Sequence, residues 1–179
     1  MPKIINNVEG IIAEVTKRQL MENGYKNTTI RSIASECNIG VGTLYNHYKS
    51  KDYIISSFML DDWKICIQKL EIAKNDYTEN KLDNPSFFKE MYLALKEFND
   101  KYRFLFDDKD AKAVFSQVIS DKHNIIIETL SRIILPVCLN SSISEKEFLA
   151  MHLANTILNW SVKDVPFETG AEIIRKLLK

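Results

Sequence analysis

Between Thr28 and Asp52 the chain runs TTIRSIASECNIGVGTLYNHYKSKD, a short helical pattern, a tight turn and a second short helical pattern. No other stretch limits the possible fold so strongly. Thr28 has the side chain of a helix N-cap, and behind it Ile30, Ile33 and Ala34 fall on one face while Arg31 and Ser35 fall on the other. The pattern ends at Cys37-Asn38. Asparagine tolerates the left-handed backbone that a sharp turn requires, and Ile39 is then placed to fill the gap between two crossed helices. The second helix spans about Val41 to Tyr48, with Leu44 and Tyr48, four residues apart, turned inward against Ile33 and Ile39.

The flanking sequence is helical as well. Ile5, Val8, Ile12, Val15 and Leu20 recur at helical spacing until Asn23-Gly24 supplies a helix-ending pair. Ser50 caps a long helix carrying Ile54, Ile55, Phe58, Met59, Ile65, Leu70 and Ala73. A polar loop TENKLDN follows, and Asn84-Pro85 pairs an N-cap with proline at the first helical position of a helix bearing Phe87 to Phe98. An aromatic piece, Tyr102 to Phe106, and an acidic loop with Asp107, Asp108 and Asp110 lead into apolar helical sequence from Ala111 to about Leu139. Whether Ser120-Asp121 interrupts it is open at this level. Ser144 and Glu147 have capping-box spacing for a helix from Glu145 to Trp160, and Pro166 starts a last helix ending near Leu178. No stretch alternates with period two, so the expected class is all-α.

Charge sharpens this. The net charge is zero, yet residues 1–51 hold seven basic against four acidic residues, and residues 52–179 hold 17 basic against 20 acidic. A basic head on a mildly acidic body fits a chain of which only the head meets phosphate. No apolar run reaches the roughly 18 residues of a membrane span, and the N-terminus lacks the apolar core of a secretory signal. Cys37, Cys66 and Cys138 form no C-x-x-C pair, which fits a reducing cytoplasm.

A helix-turn-helix works because the first helix braces the second, whose N-terminal end enters the major groove of DNA. The outward residues here are Val41, Gly42, Thr43, Tyr45, Asn46 and His47. Thr43 and Asn46 can hydrogen-bond base edges, Val41 suits a thymine methyl, and Gly42 lets the backbone approach closely. Tyr45, His47, Lys49 and Lys51 suit phosphate oxygens, as do Thr28, Thr29 and Arg31 at the start of the preceding helix.

Taken together, Gly24-Tyr25, Thr28-Thr29, Ile33-Ala34, Gly42-Thr43-Leu44-Tyr45, His47-Tyr48 and Ser50-Lys51-Asp52 resemble the N-terminal DNA-binding domain of TetR-family (tetracycline-repressor-like) transcriptional regulators. Two positions depart from that pattern. Asn38 stands where the family usually has glycine, and Gly40 where it often has a capping serine; asparagine can take the turn conformation and glycine is a weaker but tolerable N-cap. The resemblance implies a helix-turn-helix domain at 1–51 and an all-helical ligand-binding and dimerisation domain at 52–179. It also implies a homodimer paired through the last two long helices, about 145–160 and 167–178. Such a dimer would be a repressor on a pseudo-palindromic double-stranded DNA operator, with a small-molecule effector acting through the fourth helix.

Phe58, Met59, Trp63, Phe88, Met91, Tyr92, Phe104 and Phe115 are the aromatic and methionine candidates for an effector pocket. The expectation is of no enzyme, cofactor or metal: no G-x-S-x-G, phosphate-binding glycine loop or H-E-x-x-H occurs, and His123 and His152 lie far apart. Two other classes stay in view: a helical ligand-binding or interaction module without operator binding, motivated by Asn38 and Gly40, and an enzyme on the helical domain, motivated by the two histidines and the acidic cluster.

Overall fold

The computed structural model describes residues 7–178, and of residues 116–121 the backbone alone. Lys3 and Ile5, which entered the head charge and the first helical pattern, lie outside the described residues. Every regular element described is a helix: α1 Val8–Asn27, α2 Ile30–Glu36, α3 Val41–His47, α4 Lys51–Thr78, α5 Asn84–Asp107, α6 Lys109–Leu139, α7 Lys146–Val162 and α8 Phe167–Leu177. The all-α class with an N-terminal helix-turn-helix is therefore as the sequence predicts. None of the described helices is long and apolar enough to cross a membrane.

The chain divides into two compact units. The first comprises the residues up to Asp62 together with Arg103–Phe115, and the second Trp63–Tyr102 and the residues from Ser116 on. α4 begins at Lys51, beside the expected boundary at 51/52, and its opening turns belong to the first unit. The opening turns of α4 supply it with buried Ile54, Ile55 and Phe58, and Lys17 of α1 lies 4.6 Å above the Phe58 ring and 3.4 Å from Asp62. Within α1, Gly24 takes φ 75° and ψ 170°, a break at the predicted stop, after which one helical turn resumes to Asn27.

In the second unit one apolar core collects Leu70 of α4, Phe87, Phe88, Met91 and Leu95 of α5, Leu130, Ile133 and Ile134 of α6, Leu153 and Ile157 of α7 and Ile174 of α8. Along α8, Phe167, Ala171, Ile174 and Leu178 are buried every three or four residues, the stripe of a helix with one apolar face. Gly170 of that helix lies directly under the Trp160 indole of α7.

Several local expectations are corrected. The cap of α5 is Asp83, whose Oδ1 accepts from the Ser86 amide at 2.9 Å; Asn84 is inside the helix and donates to the Leu178 carbonyl at 3.4 Å. The aromatic piece at 102–106 is not separate but the last turns of α5. The acidic loop shrinks to Asp108, which caps α6 by accepting from the amides of Asp110 at 2.9 Å and Ala111 at 3.0 Å. The α6 backbone runs on through Ser120-Asp121 and Pro136. No capping box forms at Ser144 and Glu147: the N-cap is Glu145, and the Ser144 hydroxyl donates to its carboxylate instead. Ile65 faces solvent, and Cys66 takes the inward position beside it.

Candidate nucleic-acid interface

The brace of α3 begins with α2. Thr29, not Thr28, is its N-cap: the Thr29 hydroxyl accepts from the Ser32 amide at 3.1 Å and the Thr29 amide donates to the Ser32 hydroxyl at 3.0 Å, a reciprocal capping box. The Ser32 hydroxyl donates to Gln19 Oε1 at 2.7 Å, and at the other end of α2 both Gln19 and Arg18 donate to Glu36. Each end of α2 is thereby tied to α1. The Glu36 carboxyl is held below its ordinary range, first by the Gln19 hydrogen bond and then by Arg18.

The turn follows as the residues dictate. Asn38 adopts φ 53°, and the Ile39 amide donates to the Ala34 carbonyl at 3.0 Å. Gly40 is the extended N-cap of α3 and offers no side-chain cap. Leu44 is fully buried beneath the helix. Tyr48 is half-buried; burial pushes its phenol pKa up, and its hydroxyl is hydrogen-bonded with Ser57, the partner that a tyrosine here requires.

Above this brace Val41, Gly42, Thr43, Tyr45, Asn46 and His47 are all exposed, Tyr45 at 54%. A Cβ built on Gly42 would meet nothing within 4 Å, so the backbone of α3 is bare at that point. His47 directs Nδ1 toward Glu9 Oε1 of α1 at 3.4 Å.

The cations separate into two groups. Lys26, Arg31 and Lys49 are exposed and have no ion-pair partner among the described residues, whereas Lys17 and Arg18 are paired with Asp62 and Glu36. Lys26 was missed as a candidate; its exposed place between the Gly24 break and the α2 cap is the signal that marks it. Two phosphate candidates are corrected. Thr28 is fully buried and its hydroxyl donates to the Gly24 carbonyl at 2.9 Å, so it finishes α1 rather than facing solvent. The Lys51 ammonium donates to the carbonyls of Tyr25 and, at 3.0 Å, Thr28, and sits 3.6 Å from the Tyr25 ring centroid. It is held inside the head. The Thr29 hydroxyl is likewise occupied by its own cap.

Lys51 is one part of a clasp around Tyr25. The Tyr25 hydroxyl donates to Asp52 at 2.5 Å, its amide donates to Asp108 Oδ2 at 2.9 Å, and Phe115 meets its ring edge-on at 6.1 Å. Burial lowers the Lys51 pKa, while amides of Tyr25, Ala111 and Asp110 hold the Asp108 carboxyl below the usual carboxylate range. A carboxyl whose pKa is depressed by folding contributes stability that is present above its unfolded pKa and lost as pH falls through the folded one. Thermal melts from neutral pH downward should therefore lose stability once pH passes below about 4. Asp108→Ala should start lower and show a shallower acid loss; an unchanged acid limb would contradict the assignment.

The eight pocket candidates divide four and four between the two units. Phe88, Met91 and Tyr92 are buried within the core of the second unit, and Trp63 packs there edge-on to Phe98 at 5.2 Å. Phe58, Met59, Phe104 and Phe115 belong to the first unit. Two surface concavities of the second unit, about 700 and 510 Å³, are lined by none of the eight. Phe88, Met91 and Tyr92 are close-packed in that core, whereas Met59, Trp63 and Phe104 are only partly buried.

A three-helix head with a braced, outward-facing α3 defines the class of helix-turn-helix DNA-binding domains. Residues 12–57 match the model of the bacterial regulatory proteins of the tetR family. A helix-turn-helix transcriptional regulator of Staphylococcus aureus strain USA300 is 30% identical over 107 residues, covering 52% of this chain and 56% of that protein. The chain thus spans about half the length of the curated relatives it matches. Among solved structures, a TetR-family transcriptional regulator of Syntrophomonas wolfei superposes with a TM-score of 0.63 at 20% identity, covering 94% of this chain and 91% of that one. A tetR-family regulatory protein of Rhodococcus RHA1 does so at 0.59 and 16%, covering 97% and 98%. Over residues 12–57 the chain is thus similar to the N-terminal DNA-binding domain of the tetR-family regulatory proteins, and its fold is that of the superposed regulators.

Proposed function

We propose that the protein is a transcriptional repressor that binds a pseudo-palindromic DNA operator as a homodimer and is released by a small-molecule effector. The observation that carries this reading is the outer face of α3, where Val41, Gly42, Thr43, Tyr45 and Asn46 are exposed on a helix anchored by buried Leu44. In this reading Val41, Thr43 and Asn46 meet base edges. Tyr45, His47, Lys26, Arg31 and Lys49 meet phosphates.

One head covers a half-site, and two-fold symmetry sets two recognition helices in successive major grooves about 34 Å apart. The partner surface lies on α7 and α8, where Phe148, Met151 and Val162, and Ile173 and Leu177, are exposed apolar residues. The effector acts by preferring the form whose heads do not fit the operator. A DNA-binding regulator of this kind works in the cytoplasm, and the three buried free thiols are compatible with that compartment.

Gly42→Ala tests the recognition face. Because the added methyl meets open space in the free protein and alanine favours helix, the variant should be more stable by up to about 1 kcal/mol. It should nonetheless bind DNA at least about tenfold more weakly, since the methyl occupies the space the groove floor needs. Thermal melts and fluorescence anisotropy on a duplex enriched from a randomised library report the two effects. A variant both stabilised and fully binding would exclude α3 as the groove-facing helix.

A further inference from the structure

Glu9 is the one acidic partner of His47, a phosphate contact of the proposed interface, among the described residues. Glu9 is in the first turn of α1, His47 in the last turn of α3, and the imidazole Nδ1 and the carboxylate Oε1 are 3.4 Å apart on the exposed side of the head. An ionised carboxylate only accepts, so the ring donates Nδ1–H to it. A neutral ring in that tautomer has Nε2 as an acceptor, which cannot bond a phosphate oxygen. Only the imidazolium donates from both nitrogens. We propose that Glu9 is a positioning residue that orients His47 so that it binds a DNA phosphate as the imidazolium, with each head taking up a proton from solvent as the complex forms. This rests on the reading of α3 as the DNA-recognition helix.

The surroundings agree with the geometry. Glu9 is the charged group facing His47 from α1; Lys49 follows in the turn, and Asp61 of α4 acts with Glu9 on the neighbouring Tyr48. On DNA, the phosphate joins Glu9 as a second anion across the ring, an arrangement that stabilises a doubly protonated imidazole. Protonation and binding are then linked, and affinity rises as pH falls. Between about pH 8 and pH 6 the gain should be roughly fivefold per head.

The test uses the full-length protein and a fluorescent duplex enriched from a randomised library, with affinity measured across that pH range at fixed salt. Wild type should tighten by the stated factor, His47→Gln should lose most of the pH dependence, and Glu9→Gln should retain binding with a blunted pH profile. A pH-independent wild type would overturn the inference while leaving DNA binding intact. So would Glu9→Gln with an unchanged profile, or with tighter binding that marks Glu9 as a competitor of phosphate. Enrichment of no duplex at any pH would instead overturn the proposed function, and this inference with it.

Discussion

Lys51→Met should lower the stability of the protein by about 2–3 kcal/mol and leave the salt dependence of DNA binding unchanged. The ammonium of Lys51 donates to the carbonyls of Tyr25 and Thr28 at the two ends of the turn after the Gly24 break, and lies over the Tyr25 ring. Methionine keeps much of the apolar stem but leaves both carbonyls without this donor, and hydrogen bonds to charged groups are the costly ones to lose. If Lys51 instead gripped a phosphate, stability would barely change, and the slope of log K against log salt would drop by about 0.9 per head. Chemical denaturation and a salt titration together separate the two outcomes. Tyr25→Phe should repeat a smaller part of the loss, since it removes the hydrogen bond to Asp52 but keeps the ring under the ammonium.

Gly170→Ala should destabilise the second unit by about 1–3 kcal/mol. A Cβ at this position would lie 1.7 to 2.3 Å from three ring atoms of Trp160, so the indole must leave its place or α7 and α8 must part. The helix propensity gained by replacing glycine, about 1 kcal/mol, offsets only part of that strain. The same two helices carry the proposed partner surface, so sedimentation should also show weakened self-association. In a Trp160→Leu background the cost of Gly170→Ala should vanish and leave a gain of up to about 1 kcal/mol, because the two sites are coupled by one contact. An equal cost in both backgrounds would exclude the indole as the cause.

Much of the head was legible because its signals are local. Asn38 at φ 53°, buried Leu44 and the break at Gly24 each follow from a side chain acting on its own backbone or on a neighbour one helical turn away. The outward set on α3 follows from the same period. What could not be read depends on residues distant in sequence. Lys51 looks like a phosphate contact until Tyr25 and Thr28 are brought beside it, and Asp108 looks like part of a solvated loop until it meets the Tyr25 amide from 83 residues away. Adjacent capping candidates are a second limit. Thr28 and Thr29 have equivalent side chains, as do Asp83 and Asn84 for capping, and only the geometry of the entering chain decides which one caps. Ser144 had the right partner spacing but spends its hydroxyl on Glu145. The aromatic residues mark a core and a cavity with the same composition, so Phe88 and Met91 gave no sign of which they serve.

In the proposed complex α3 places sequence-reading side chains against DNA while Lys26, Arg31 and Lys49 meet phosphates. Affinity of the full-length protein for the enriched duplex and for a scrambled duplex, each across a range of salt, tests this most directly. Tight binding to the enriched duplex is expected, with weaker binding to the scrambled one and log K falling linearly with log salt on both. Affinity that is insensitive to salt, or absent on every sequence, would contradict this reading.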